Sequence, residues 1–299
     1  MSAWAVCLLN WNGREDTLRC LDALRDLGDT LVVVADNGSE DGSVEAIRAA
    51  HPEVELIENG ANLGFSGGYN RAIERAFALG ASWVVLLNND AVLRPGALAA
   101  LRSAAERLPA AGVLAGRLFE PDGRVQWAGQ RVGLLSGYSG RPRGHGRPDG
   151  PELRVEGPVD RAVGALMAVS KAAVDAAGPL DEELFAYVED VDWSLRIRAA
   201  GFGCVLVPGA EATHALSASS GGRASTAPMY YGARNTVVVC ERHRPLGRAG
   251  TALRRVSIAG TFLARALLGL RSLDAARAVL AGYADARAGR LGPRPAARS

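Results

Sequence analysis

Residues 83–93, WVVLLNNDAVL, are the stretch of sequence that indicates the fold class most clearly. The run 83–87 is apolar throughout, which is typical of a strand buried on both faces in a parallel sheet covered by helices. Asn88, Asn89 and Asp90 end that strand. Ligands bind outside the carboxyl ends of strands in open parallel sheets, so these three side chains are candidates for a site.

Two earlier strands end in the same way. The apolar run 4–9 is followed by Asn10, and the β-branched run 31–35 is followed by Asp36. Helical patterns and one short strand alternate with these runs, with helices at 17–27, 44–50 and 69–79 and the strand at 54–57. The alternation predicts an α/β fold with a mostly parallel central sheet flanked by helices. Turn formation alone could explain any one polar strand end, but three in succession favour a binding site.

The composition is that of a globular protein. The chain has 299 residues, of which 48% are hydrophobic and 22% charged, and its formal net charge is +2. These values exclude a disordered chain, a collagen-like repeat and a small disulfide scaffold. No nucleic-acid partner is predicted, because there is no excess of positive charge.

Cysteine spacing and apolar run length together predict a cytoplasmic protein. The four cysteines form no CxxC pair and lack zinc-site spacing, which favours reduced thiols. The N-terminal residues have no charged region typical of a signal peptide. The longest nearly apolar run, 256–270, is shorter than the roughly 20 residues that span a bilayer.

The second half continues the pattern less regularly. Strands are predicted at 163–169 and 203–207, and helices at 189–200 and 228–243. A segment rich in Gly, Arg and Pro, 129–150, predicts a mobile loop.

Other glycine motifs do not fit. The first turn carries Gly13 alone, where a dinucleotide fold needs GxGxxG. The only lysine, Lys171, is not part of a P-loop, and no GxSxG nucleophile elbow is present. In their place, residues 62–70 form a glycine-rich stretch, which the sequence predicts to be a loop that approaches a ligand closely.

Seven motifs, in order and over about residues 3–240, carry a resemblance. They are LLNWNG (8–13), VVVADNGSEDGS (32–43), ANLGFSGGYNRAI (61–73), LLNNDAVL (86–93), GALMAVSKAAVDAAGPLDEELFAYVEDVDWSLRIRAAGF (164–202), THALSAS (213–219) and YYGARN (230–235). With them the chain resembles the family-2 glycosyltransferases of the GT-A fold, in their rhamnosyltransferase-like branch. The resemblance implies an enzyme that transfers a sugar from a nucleotide-diphospho-sugar.

The resemblance implies a donor site on the first half. Asp36 matches an acid that contacts the nucleotide base or ribose, and Asn62 and Gly68 match positions that line the base pocket. Asn10 is assigned to the same nucleotide-sugar site, as are Asn88 and Asn89.

A divalent cation, Mg²⁺ or Mn²⁺, is implied as the cofactor. Asn88, Asn89 and Asp90 stand where the family has its D-x-D element, with Asn88 in place of the first aspartate. Asp90 is the expected carboxylate ligand, and His214 matches a histidine that supplies a further one. One carboxylate and the substrate diphosphate suffice for such an ion, which retains bound waters. Without the motif, His214 would be interpreted as a hydrogen-bonded structural residue.

The resemblance also implies that Asp190 is the catalytic base. A carboxylate must take the proton of the attacking hydroxyl, and a single base near the anomeric carbon implies inversion. Carboxylates at a helix start also act as caps and dipole partners, which is the role predicted for Asp192 and left open for Glu189. Arg196 lies four residues after Asp192 and is expected to pair with it.

Three parts are predicted along the chain. Residues 1–243 form the catalytic domain, with a nucleotide-binding half at 1–93 and an acceptor and catalytic half at 94–243. A helical arm rich in Leu, Ala and Arg follows at 244–291, and residues 292–299 are expected to be disordered. The arm either packs on the core or binds an anionic membrane surface, so the enzyme is expected in the cytoplasm, with peripheral attachment to the inner face of the plasma membrane favoured.

The branch resemblance favours dTDP-L-rhamnose as the donor. The expected acceptor is a glycan, a lipid-linked sugar or a small molecule. Two alternatives stay open: a catalytically inactive nucleotide-sugar-binding module of a glycan assembly complex, and a sugar nucleotidyltransferase. The second would need a Gly-rich, Arg- or Lys-bearing loop after the first strand, where this chain has only Asn10 to Gly13.

Overall fold

Four parallel strands form the first half of the central sheet, in the order β3-β2-β1-β4. The computed structural model describes residues 3–25, 27–133, 141–215 and 226–295. The strands are β1 (Trp4–Asn10), β2 (Thr30–Asp36), β3 (Glu55–Glu58) and β4 (Trp83–Leu87). The helices between them are α1 (Arg14–Asp22), α2 (Ser43–Ala50) and α3 (Gly64–Ala78). This half confirms the predicted parallel α/β unit.

Beyond β4 the sheet becomes mixed. The order continues β4-β9-β6-β10-β5, and β9 runs antiparallel to both of its neighbours. The strands are β5 (Ala91–Leu93), β6 (Ala111–Phe119), β7 (Val125–Trp127), β8 (Gly157–Pro158), β9 (Leu166–Ser170) and β10 (Gly203–His214). The helices of this half are α4 (Ala97–Arg107), α5 (Lys171–Ala177) and α6 (Glu189–Ala199). The expectation of a mostly parallel sheet therefore holds for the first half only.

Strand β6 is fully buried and was not predicted. Gly112 and Gly116 interrupt its apolar pattern, and Arg117 adds a charge. A Cβ on Gly112 would lie 2.7 Å from the Cβ of Phe202, so neighbouring side chains fill the space above the strand. Packing against these neighbours outweighs the low strand propensity of glycine.

The glycine-rich stretch predicted as a loop at 62–70 is instead the start of a helix. Helix α3 begins at Gly64, which has a φ of +73°, and the next glycines, Gly67 and Gly68, are already helical and buried. A Cβ on Gly68 would overlap Leu9 of β1. These glycines let α3 approach the sheet closely, and that contact overrides their poor helix propensity.

The C-terminal helices pack on a second apolar cluster. Helix α7 (Ala227–His243) contacts α8 (Arg248–Ala264), which continues through a π-helical turn (Arg265–Gly269) to α9 (Leu273–Arg287). Ile258 and Phe262 of α8 and Val279 of α9 are buried in this cluster. In the described ranges, no helix is long and apolar enough to cross a membrane.

Two segments predicted to lack order are partly described. Within the predicted loop, residues 129–133 and 141–150 are described, and Arg147 forms an isolated bridge with Val125 of β7. Residues 134–140 lie outside the described part. In the predicted disordered tail, the Gly292 amide donates to the Glu183 carbonyl at 2.6 Å, and the Arg294 amide donates to the Tyr231 hydroxyl at 2.6 Å. Only 296–299 of that tail lie outside the described residues.

Candidate active site

The ends of β1, β2 and β4 are joined by a buried polar network around Asn10. The Asn10 amide donates to Asp36 Oδ2 at 2.7 Å, and its Oδ1 accepts from Thr17 Oγ1 at 2.8 Å. Asn89 Nδ2 donates to the same Thr17 hydroxyl at 2.9 Å. Asn10 is completely buried, so it holds the strand ends together rather than facing an open cleft.

Asp36 is also a buried organiser of its turn. Its Oδ1 accepts from the Ser39 amide at 2.8 Å, and its Oδ2 accepts from the Ser39 hydroxyl at 2.7 Å. The side chain is only 1% exposed. Its carboxylate therefore fixes the turn after β2, and any contact with a base or ribose comes in addition to that role.

The two residues predicted to line a base pocket, Asn62 and Gly68, both lie near the Asn37 side chain at the N-terminus of α3. Asn62 is exposed, and its Oδ1 accepts from the Gly64 amide at 2.9 Å. Gly68 is buried against Leu9 and Asn37. Asn62 is thus accessible to a ligand, whereas Gly68 serves the contact between helix and sheet.

Asp90 and His214 meet at the junction of β4, β5 and β10. His214 Nε2 lies 3.0 Å from Asp90 Oδ1 and 3.2 Å from Asn88 Nδ2. On its other side, His214 Nδ1 lies 2.7 Å from Gln126 Oε1, an acceptor, so Nδ1 carries the proton. Nε2 is the ring nitrogen beside the carboxylate, where it is placed to bind a cation together with Asp90 Oδ1.

Asp90 and His214 fit a cation that takes most of its ligands from the substrate and from water. In the ranges that the structure describes, no three or more His, Cys, Asp or Glu side chains are grouped as a metal site. Asp90 and His214 provide one oxygen and one nitrogen ligand, and both side chains are under 10% exposed. Mg²⁺ and Mn²⁺ accept such a pair when substrate oxygens and waters complete the coordination.

Asp190, in the first turn of α6, is held through one oxygen. Its Oδ2 accepts from the Gly164 amide at 3.0 Å and lies 3.3 Å from Arg161 Nη1. Arg161 is itself oriented by Gln130 Oε1, at 2.8 Å from its Nε. Neither Arg161 nor Gly164 was predicted as a site residue, because the contacts that bring them to Asp190 span 26 to 29 residues.

Two adjacent backbone groups connect Asp190 with the polar end of β4. The backbone amide of Gly164 donates to the Asp190 carboxylate. The carbonyl of the next residue, Ala165, accepts from the backbone amide of Asn88 at 3.3 Å. The residue predicted as the base is therefore linked to the residues predicted for the metal through two consecutive residues of the chain. A Cβ on Gly164 would lie 2.7 Å from the Phe65 ring of α3, so a larger residue here would displace that ring.

Glu189 lies beside the predicted base and is buried, with 4% of its surface exposed. Burial and the charge of Asp190 raise the pKa of Glu189 well above its ordinary value. Its Oε2 has no hydrogen-bond partner among the described residues. A neutral carboxyl can donate a hydrogen bond, so Glu189 adds a donor to the site.

One further prediction is settled by its contacts. Asp192 pairs with Arg196 as expected, at 2.7 Å, and also lies 2.7 Å from His243 Nε2. Burial raises the pKa of Asp192, but the hydrogen bonds from His243 and Arg196 outweigh it and hold that pKa below its ordinary value. The side chains of Arg234 and Asn235, in the last of the seven motifs, bind backbone carbonyls of residues 183–187.

The mixed sheet with a polar edge, flanked by helices and extended by C-terminal helices, has the architecture of the GT-A glycosyltransferases. Residues 5–156 match the family described as glycosyl transferase family 2. The chain belongs to glycosyl transferase family 2. Over 260 residues it is 33% identical to an N-acetylglucosaminyl-diphospho-decaprenol L-rhamnosyltransferase of Mycobacterium tuberculosis, which covers 81% of this chain and 83% of the relative.

Solved structures share the fold at low identity. A mannosyltransferase from Pyrobaculum calidifontis in complex with GDP-Man and Mn²⁺ has a TM-score of 0.59 and 18% identity, over 96% of this chain and 82% of that one. S. aureus TarS 1-349 in complex with UDP-GlcNAc has a TM-score of 0.58 and 14% identity, over 95% and 81%. These likenesses confirm the predicted fold class.

Proposed function

We propose that this family-2 glycosyltransferase transfers L-rhamnose from dTDP-L-rhamnose to an acceptor hydroxyl with inversion, and that Asp190 is the general base. The observation that carries the proposal is the placement of Asp190, whose Oδ2 is anchored by Gly164 and Arg161 next to the Asn88–Asp90 element. The identity with the mycobacterial L-rhamnosyltransferase supports the choice of sugar.

The proposed reaction is a single displacement. The acceptor oxygen bonds to the anomeric carbon as the bond from that carbon to the diphosphate oxygen breaks, and the hydroxyl proton passes to Asp190. Because Oδ2 already accepts two hydrogen bonds, Oδ1 is the oxygen that takes the proton. Gly164 and Arg161 hold the carboxylate in a fixed orientation during this proton transfer.

Asp90 and His214 would hold a divalent cation, Mg²⁺ or Mn²⁺. When bound, that ion would neutralise the charge on the departing diphosphate. Within this chain, Gln126 orients His214 so that Nε2 is available as a ligand, and Asn88 replaces a second carboxylate. A leaving group stabilised in this way needs no protein acid, in keeping with a single catalytic carboxylate.

For the donor, we propose that the nucleotide lies along the ends of β1 and β2. Asn62 is accessible there, and Asn10, Asp36, Gly68 and Asn89 form the rigid surface beneath it. Residues 1–93 then bind the nucleotide, and residues 94–243 bind the acceptor and supply the base.

We further propose a lipid-linked acceptor. The mycobacterial relative is named for an acceptor that contains a diphospho-decaprenol, a lipid that resides in a membrane. An enzyme acting on such an acceptor must reach the bilayer surface, which supports our proposal that this chain attaches to the cytoplasmic face of the plasma membrane.

The helical arm, 244–291, offers a surface for that contact. Leu253, Val256, Leu267, Leu268, Leu270 and Leu273 are between 44% and 80% exposed and form what we name the arm surface. Residues 242–273 contain no Asp or Glu, and Arg248, Arg265 and Arg271 are exposed among the leucines. Exposed apolar side chains with basic neighbours suit an anionic bilayer, so we propose that the arm surface docks there.

Calorimetric titration with dTDP, UDP and GDP, each with Mn²⁺ or with EDTA, tests the donor site. We expect dTDP to bind most tightly and the affinity to fall in EDTA. Preferential binding of UDP or GDP would exclude the proposed donor. Incubation of dTDP-L-rhamnose with a short-chain N-acetylglucosaminyl diphospholipid then tests transfer, and dTDP binding without any transfer would favour an inactive nucleotide-sugar-binding module.

A further inference from the structure

A strained turn leads directly into the helix that carries Asp190. Phe185, Tyr187 and Val188 have φ values of +65°, +66° and +74°, in the left-handed region that disfavours side chains. The Ala186 amide donates to the Leu184 carbonyl at 2.8 Å, which makes Phe185 the centre of a γ-turn of the uncommon positive-φ form. Such conformations persist only where surrounding contacts impose them.

One side-chain amide on α7 provides three of the contacts that support this turn. Asn235 Nδ2 donates to the carbonyls of Leu184, Ala186 and Tyr187 at 2.9, 2.9 and 2.7 Å. The amide orientation follows from chemistry, because only the NH₂ end can face three carbonyls. Asn235 Oδ1 in turn accepts from Arg234 Nε at 2.8 Å.

Arg234 extends this support to the chain terminus. Its Nη2 donates to the Leu184 carbonyl at 3.0 Å, and its Nη1 donates to the Gly292 carbonyl at 2.7 Å. Both Arg234 and Asn235 are buried to 99% or more. They are therefore out of reach of a substrate.

The turn also contacts α3, which belongs to the half of the chain predicted to bind the nucleotide. The Phe185 carbonyl accepts from the Ser66 amide in the first turn of α3, at 3.2 Å. A Cβ on Gly64 would overlap Phe185, so glycine at the start of α3 admits the turn. The strained segment thus lies between α3 and α7 and ends one residue before Glu189.

We infer that Asn235 is a positioning residue, which holds the turn 184–188 in its strained form so that α6 presents Asp190 at the reacting centre. This inference rests on the proposed role of Asp190. Releasing the turn would let the first turn of α6 shift, and a shift of about 1 Å at a catalytic group can cost about a hundredfold in rate.

Two substitutions test the inference by steady-state kinetics with the nucleotide sugar that the wild type uses. Asn235→Asp keeps the shape and the bond from Arg234 but removes the donors to the three carbonyls, and Asn235→Ala removes the side chain. We expect kcat to fall by about tenfold or more in both, with the KM for the donor changed by less than about twofold. Wild-type kcat in either folded variant would overturn the inference, as would an equal loss in kcat and donor affinity.

Relief of the strain provides the matched rescue. Val188→Gly lets residue 188 adopt its positive φ without a side-chain penalty, so the turn then needs less support. We expect Asn235→Asp to cost several-fold less kcat in the Val188→Gly background than alone. An undiminished cost would contradict a role in holding strain.

A further pair of measurements separates this inference from the proposed function. In the Asp190→Asn background, Asn235→Asp should have little further effect, because it acts through Asp190. If Asp190→Asn leaves turnover unchanged while Asn235→Asp lowers it, the base assignment fails and the turn acts on another group. Hydrogen exchange over 183–190 should be faster in Asn235→Asp whatever the reaction, and unchanged exchange would overturn the inference by itself.

Discussion

Among the residues that the structure describes, the carboxylate of Asp190 is anchored through Oδ2, by a backbone amide and an arginine. This asymmetry gives the side chain one oxygen for orientation and another for chemistry. It also means that an asparagine can keep the same anchor, since its carbonyl oxygen can accept from Gly164 and Arg161.

Asp190→Asn should therefore remove the base while preserving the site. We expect kcat to fall by about a hundredfold or more, as for the loss of general-base catalysis. The affinity for dTDP, measured by calorimetry, should stay within about twofold. Asp175→Asn, which alters an exposed carboxylate paired with Lys171, is the matched control and should leave kcat unchanged. Full turnover in Asp190→Asn would remove this residue from its proposed role.

Glu189 makes stability depend on pH. Burial and the neighbouring charge of Asp190 raise its pKa in the folded state, so the folded protein retains this proton at pH values where the unfolded chain has lost it. Stability should fall as the pH rises above the unfolded pKa of a glutamate, about 4.3. Glu189→Gln, which is neutral at every pH, should remove that loss.

Thermal unfolding at pH 5 and pH 8 tests this expectation. The difference in Tm between Glu189→Gln and the wild type should be larger at pH 8, in favour of the variant. Asp192→Asn should lower the Tm by a similar amount at both pH values, because the pKa of Asp192 is lowered by its partners and the stability from its charge is already fully present at pH 5. An equal Tm difference for Glu189→Gln at both pH values would exclude a raised pKa.

At the scale of elements, Asp90 and His214, the two proposed metal ligands, depend on a strand outside the parallel half. His214 ends β10, Asp90 precedes β5, and Gln126 lies on β7, so three elements meet at one imidazole ring. The hydrogen bond from His214 Nδ1 to Gln126 fixes which nitrogen faces Asp90. The position of β7 therefore matters to any metal bound there.

Gln126→Ala should weaken Mn²⁺ binding by about tenfold to a hundredfold, the usual effect of losing a partner behind a ligating histidine. Calorimetric titration of Mn²⁺ in the presence of saturating dTDP measures this. Gln126→Glu keeps an acceptor for His214 Nδ1 and should retain most of the affinity. If both variants bind Mn²⁺ as the wild type does, His214 is a structural residue.

At the scale of the whole molecule, the arm is both a core element and a surface. Its buried face, including Ile258, Phe262 and Val279, packs on α7, which carries Asn235. Its outer face is the arm surface of exposed leucines with basic neighbours. The two roles that the sequence left as alternatives are compatible, because different faces of the same helices would serve them.

Leu268→Asp and Leu273→Asp should each weaken binding to phosphatidylglycerol vesicles by about tenfold, since each removes apolar burial and adds repulsion from the lipid charge. Vesicle co-sedimentation measures the change. Leu79→Asp, at an exposed leucine outside the arm, is the control and should bind as the wild type does. Wild-type binding of both arm variants, or no binding of the wild-type protein, would contradict membrane docking by the arm.

Local sequence patterns are sufficient to predict the first half of the fold and the positions of its polar strand ends. Strands β1, β2 and β4 and the residues after them are local patterns, because burial on both faces leaves an apolar run and the turn that follows must be polar. The resemblance carried by ordered motifs added Asp90, Asp190 and His214, which the tertiary structure brings to one edge of the sheet.

The contacts that hold these residues in place could not be predicted from the sequence and are seen only in the tertiary structure. Gln126 meets His214 across 88 residues, and Asn235 meets the turn before Asp190 across about 50, far beyond the reach of any local period. The same is true of the glycines, which a sequence pattern assigns to loops. Gly68 and Gly116 lie in a helix and a strand, because neighbouring side chains occupy the space where a Cβ would stand. Close packing between distant segments, which leaves no periodic signal in the chain, sets both outcomes.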